Sequence, residues 1–164
     1  MESLTLLSQK VGQQLFANNQ ILVTAESCTG GGIATAITDI AGSSAWFDRA
    51  FVTYSNEAKV EMLGVMQATL MAHGAVSEAT VVEMAEGALR NSRATLAVSV
   101  SGIAGPGGAT EDKPVGTVCF AWANLNDWQR VDTVCFKGDR SEVRSQAIQH
   151  ALQVVSEHLS NCTQ

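Results

Sequence analysis

The apolar positions along the chain change period several times, and each change marks an element. Leu4, Leu7, Val11 and Leu15 recur at helical spacing, which predicts an amphipathic helix over the first 18 or so residues. Ile21 to Ala25 is a short β-branched run that reads as a buried strand. It ends at Glu26-Ser27-Cys28-Thr29, followed by Gly30-Gly31-Gly32 and a helix-like run, IATAITDIA, broken by DIAGSS. Trp46 to Tyr54 predicts a second strand, Asn56 to Leu63 a short helix stopped by Gly64, and Val65 to Ala72 another, closed by His73-Gly74. Ser77 is a good N-cap for a longer helix with Val81, Met84, Ala85, Ala88 and Leu89 on its buried face. Thr95 to Ser101 predicts a strand that runs into SGIAGPGGATEDKP, a stretch of loop composition. Val115 to Ala123 and Val131 to Phe136 form a predicted hairpin about the polar turn Asn124 to Asp127. Asp139 and Ser141 are N-cap candidates for a last helix from Glu142 to about Leu159. Alternating helices and strands followed by a hairpin predict an α/β fold: a three-layer α/β/α sandwich with a mixed sheet. It is read as one domain over 1–164 with its core at about 6–159.

Composition narrows the setting. With 46% hydrophobic and 16% charged residues, the 164-residue chain is expected to fill a core rather than stay disordered. A chain of this size buries roughly 70% of its unfolded surface and needs no disulfide or metal staple. A net charge of −6, with only 10 Lys and Arg, disfavours nucleic acid as a partner but leaves room for a small anion. No apolar run approaches the roughly 20 residues of a membrane span. The first residues carry no basic stretch or cleavage site, so a cytoplasmic location is expected. Cys28, Cys119, Cys135 and Cys162 are scattered, and the three histidines share no tight spacing with them. Neither a disulfide framework nor a metal is expected, and no cofactor.

Two loops stand where ligands collect in open α/β sheets, beyond strand carboxyl ends: TAESCTGGG and SGIAGPGG. Both combine hydroxyls with glycines that let backbone N–H groups approach a ligand, and the first leads into a helix N-terminus that favours an anion. Neither has dinucleotide-fingerprint or Walker spacing, and tight strand-to-helix packing would also use such glycines. In Tyr54-Ser55-Asn56-Glu57-Ala58-Lys59 a lysine follows a strand end. Partial burial would let Lys59 act as a base toward a serine, although a lysine on a short helix is more often solvated. No G-x-S-x-G elbow is present, and no histidine lies near a serine-bearing loop. Arg140 and Arg144 share one face at the start of the last helix. There cations are unfavourable for the dipole, so either an anion or pairing with Asp139 or Glu142 is expected.

Taken in order, TAESCTGG, ITDIAGSSAWFDRAFVTYSNEAK, HGAVSE, SGIAGPGG, KPVGTV and FKGDR resemble the CinA C-terminal domain family, most closely its stand-alone bacterial nicotinamide-nucleotide amidases. The resemblance runs from about Leu6 to Leu159 and implies hydrolysis of the carboxamide of nicotinamide mononucleotide. It further implies a serine nucleophile and a lysine base, falling on Ser27 and Lys59, with backbone N–H groups from Cys28 to Gly31 as oxyanion donors. Tyr54 and Ser44 are then candidate relay or orienting groups. Glu26, Cys28, Thr29, Gly30, Gly31, Ser101, Gly102, Gly105, Arg140 and Arg144 are candidates for holding the substrate. Thr29 and Ser43 stay open as alternative nucleophiles, and Cys28 as a thiol one; Glu26 is either a base or a brace for the loop. A non-catalytic nucleotide-binding regulatory module is the alternative function. A homodimer is expected from the exposed hairpin edge.

Overall fold

The computed structural model describes residues 3–162. Five strands form one mixed sheet in the order β2-β1-β3-β4-β5: β1 (Leu22–Glu26), β2 (Phe47–Val52), β3 (Leu96–Gly102), β4 (Thr117–Asn124) and β5 (Gln129–Cys135). β1 pairs in parallel with β2 and β3, and the β4–β5 hairpin continues the sheet antiparallel. Helices α1 (Leu4–Ala17), α2 (Gly32–Thr38) and α6 (Arg140–Cys162) cover one face. Helices α3 (Asn56–Leu63), α4 (Gln67–His73) and α5 (Glu78–Arg90) cover the other. This is the three-layer α/β/α arrangement with a mixed sheet that the sequence pattern predicts.

Strand alternation divides the core between those faces. Leu22, Val98, Val100, Phe120 and Trp122 pack toward α1 and α6, while Val23, Ala25, Ala97 and Ala121 pack toward α5. β1 is buried along its whole length, as a strand covered by helices on both faces must be. The same alternation aims Glu26 at the α2 side and its successor Ser27 at the α3 side.

The ends of the elements follow their caps. Ser77 Oγ accepts the Thr80 N–H at 3.2 Å and opens α5 at Glu78. α6 begins at Arg140, two residues before the expected Glu142. Asp139 and Glu142 cap it reciprocally: Asp139 Oδ1 accepts the Glu142 N–H at 2.9 Å, and Glu142 Oε1 accepts the Asp139 N–H at 3.0 Å. Ser141 therefore lies inside the helix rather than at its cap. β2 stops at Val52, two residues before Tyr54, because its partner β1 ends at Glu26 in register with Val52. The chain beyond is free to turn across the end of the sheet.

Candidate active site

The carboxyl ends of β1, β2 and β3 converge where the chain leaves the sheet. Ser27 N–H donates to Val100 O at 3.0 Å, tying it to β3, and Thr53 N–H donates to Glu26 O at 2.8 Å, tying the exit of β2 to β1. Ser55 caps α3 by accepting the Ala58 N–H at 3.1 Å, and one turn into that helix Lys59 points back under the sheet end. Its Nζ lies 3.0 Å from Ser27 Oγ and donates to Thr53 O at 2.8 Å.

Lys59 is 1% exposed, and neither of these two partners is a carboxylate. Burial disfavours its charged form and lowers its pKa below the ordinary lysine value. A neutral amine in this position can donate to the Thr53 carbonyl and keep its lone pair toward the Ser27 hydroxyl. The arrangement thus places an amine within hydrogen-bond reach of a serine hydroxyl. Nearby, burial raises the Cys28 thiol to about 11, so it stays protonated at neutral pH and is a poor nucleophile.

The turn carrying Ser27 is braced from both sides. Glu26 is fully buried, and its carboxylate accepts the Thr29 hydroxyl at 2.7 Å and the Ile33 and Ala34 N–H groups at 2.9 and 3.0 Å. It therefore caps α2 and holds the turn, and does not face the cleft. Thr29, also fully buried, uses its hydroxyl in that brace and is not presented as a nucleophile. From the opposite side Arg144 donates through Nε to Cys28 O at 3.0 Å and through an Nη to Thr29 O at 3.2 Å. Gly30 N–H donates to Ser27 O at 3.0 Å, while among the described residues the Cys28 and Thr29 N–H groups have no backbone acceptor. The turn needs left-handed backbone at Gly31, φ 98°, immediately before α2, a conformation that a side chain would strain.

Above the pair lies a cavity of about 250 Å3 whose lining includes Ser27, Cys28, Tyr54, Lys59, Ser101, Gly102 and Arg140. Beside it, sharing Ala104 and Arg140, is a groove of about 740 Å3 lined also by Gly105, Pro106, Val115 and Arg144. Arg140 donates to Gly105 O at 2.9 Å and to the Tyr54 hydroxyl at 3.0 Å. Neither Arg140 nor Arg144 pairs with Asp139 or Glu142, which cap each other instead. Each guanidinium uses two of its five N–H donors in these bonds, leaving others for a ligand.

Most of the sequence candidates thus converge on one end of the sheet. Ser44 does not. It sits exposed in the one-turn 3₁₀ helix Ser43–Ala45, ahead of β2 and beside the start of β1 at Leu22, the opposite end of the strands. Ser43 lies in the same turn. Gly30 and Gly31 shape the turn without lining either cavity. Sequence reasoning missed Asn56, Ala75 and Val76, which also line the smaller cavity, and the Thr53 carbonyl. The YSNEAK run offers a signal for Asn56; a backbone carbonyl offers none.

Residues 4–159 match the family model for the CinA C-terminal domain. The chain is 60% identical over 149 residues to the nicotinamide-nucleotide amidohydrolase PncC of Escherichia coli K12, a match covering 91% of this chain and 90% of that protein. It is 52% identical to a putative competence-damage inducible protein of Symbiobacterium thermophilum, covering 93% of this chain and 38% of that longer one. Among solved structures, a CinA superfamily protein of Klebsiella pneumoniae superposes with a TM-score of 0.94 at 39% identity, covering 98% of this chain and 99% of that one.

Proposed function

The chain belongs to the CinA C-terminal domain family, and from that membership we propose that it is a nicotinamide-nucleotide amidohydrolase, converting nicotinamide mononucleotide to nicotinate mononucleotide and ammonia in pyridine-nucleotide salvage. The observation that carries the chemistry is the buried 3.0 Å contact between Ser27 Oγ and Lys59 Nζ at the floor of a cleft. The near full-length identity of 60% to an amidohydrolase of that name supports the substrate.

In the proposed mechanism, Ser27 Oγ attacks the carboxamide carbon as its proton passes to neutral Lys59. The carbonyl oxygen becomes an oxyanion, and the N–H groups of Cys28 and Thr29, which have no backbone acceptor among the described residues, serve as its donors. Arg144 bears on this directly. Because it binds the Cys28 carbonyl, the Thr29 N–H of the same planar peptide points the other way. Collapse of the intermediate breaks the C–N bond, and Lys59 returns its proton to the leaving nitrogen, which departs as ammonia. Water then adds to the Ser27 ester with Lys59 again taking a proton, and the acid product leaves as Ser27 recovers its hydroxyl. The smaller cavity takes the pyridine carboxamide. The larger groove, with Arg140 and Arg144 on its wall, takes the ribose and phosphate.

On this reading the reaction belongs to the cytoplasm, and the outer edges of β2 and β5, which pair with no further strand among the described residues, leave strand backbone for a second copy, consistent with a homodimer. The direct test is incubation of the purified protein with nicotinamide mononucleotide. Equimolar ammonia and nicotinate mononucleotide are expected; binding without release of either refutes the amidase reading and leaves a non-catalytic nucleotide-binding module.

A further inference from the structure

Two segments without catalytic groups face each other across the cleft, and one side chain joins them. The strap 103–116 leaves β3 at Gly102 and returns at Thr117. Its Ala104 borders both cavities, and Gly105, Pro106 and Val115 line the larger one. The segment 74–77, between α4 and α5, supplies Ala75 and Val76 to the smaller cavity. The tip of the strap is a tight turn in which Thr110 N–H donates to Lys113 O at 2.9 Å and Lys113 N–H to Thr110 Oγ1 at 3.2 Å. From this turn Lys113 Nζ donates to the carbonyl of His73, 3.1 Å away, and to that of Val76. His73 ends α4, so its carbonyl is one of those a helix leaves without an internal partner.

The geometry points to Lys113 as a positioning residue for the substrate: it locks the strap to segment 74–77 and thereby sets the width of the cleft in which the nucleotide lies. The inference rests on the amidase reading for its kinetic consequence. Lys113 touches neither Ser27 nor Lys59, so the lock governs how well the nucleotide is held while leaving the reacting pair in place. Loss of interactions that hold substrate and transition state equally raises KM and spares kcat.

Steady-state kinetics on nicotinamide mononucleotide test this with Lys113→Met, which removes the donors, and Lys113→Arg, which keeps them. Met is expected to raise KM about tenfold with kcat changed by less than about threefold, and Arg to recover most of the loss. Limited proteolysis within the strap is expected to quicken in Met alone. A Met variant with wild-type KM, one that loses kcat and melting temperature at constant KM, or an Arg variant no better than Met overturns the proposal. Should Lys113→Met yield no folded protein, Lys113→Leu, which also lacks a donor, is read by the same criteria. Failure of the wild-type protein to hydrolyse the nucleotide refutes the amidase reading instead. The proteolysis then decides the lock alone: faster strap cleavage in the Met variant supports it and an unchanged rate overturns it.

Discussion

Replacing Lys59 by Met separates the chemistry of the buried amine from its part in the fold. The variant keeps a chain of similar length in a site where Lys59 is 1% exposed, but it removes the contact to Ser27 Oγ and leaves the Thr53 carbonyl without its partner. Loss of a general base is expected to lower kcat by roughly a hundred- to ten-thousand-fold. The stability effect depends on pH, and its sign follows from the lowered pKa. Between the folded value and 10.5 the native amine is neutral while the unfolded one is protonated, so wild-type stability rises with pH. The slope is at most about 1.4 kcal/mol per pH unit for a single proton. Above this window the variant is less stable by about 1–3 kcal/mol, the effect of an unpaired buried carbonyl. As pH falls, the wild-type advantage shrinks along that slope until Lys59 is protonated in the native state as well. Urea unfolding followed by tryptophan fluorescence across pH 7 to 10.5, on both proteins, measures the difference curve. A flat difference together with a kcat within about threefold of wild type refutes both the buried neutral amine and its role as base.

Three other substitutions probe the surroundings. Cys28→Ala is expected to keep kcat within about threefold, because a thiol raised to about 11 is protonated near neutral pH; loss of turnover measured by ammonia release assigns the thiol a role. Glu26→Gln replaces one acceptor oxygen by a donor amide facing the Ile33 or Ala34 N–H or the Thr29 hydroxyl. It is expected to destabilise the fold by about 1–3 kcal/mol in chemical denaturation and to lower kcat through the loosened turn. Ser44→Ala, at the far end of the strands, is expected to leave kcat/KM unchanged within error, and a tenfold loss would contradict the placement of the site.

The layers and most elements were legible because each left a local signature: period 3.6 in α1, a serine cap before α5, an apolar run in β1. At two boundaries where expectation and structure differ, the deciding contact is non-local or reciprocal. The two extra residues of β2 at Tyr54 vanish because β1 supplies no partner beyond Glu26. The start of α6 shifts because Asp139 and Glu142 cap one another. Ser27 and Lys59 are 32 positions apart and meet only through the β1–β2 pairing, so spacing alone could not join them. The family resemblance supplied that pair. Ser44, a relay candidate added beside that pair, lies instead at the opposite end of the strands. Glu26, open as base or brace from sequence, resolves as a brace because it ends β1 on the side of α2. Lys113 bonds backbone carbonyls of a distant segment, and the Thr53 group that meets Lys59 is itself a carbonyl; neither leaves a trace in residue patterns.

The central claim, a serine that becomes acylated with lysine as its base, is tested most directly by trapping the intermediate. Wild-type protein turning over nicotinamide mononucleotide is quenched in acid within milliseconds and its peptides are weighed by mass spectrometry. The account predicts the nicotinate mononucleotide acyl group as an ester on the peptide bearing Ser27, and no such adduct in Ser27→Ala, which also releases no ammonia. An adduct on Cys28, or ammonia release by Ser27→Ala at the wild-type rate, would contradict it.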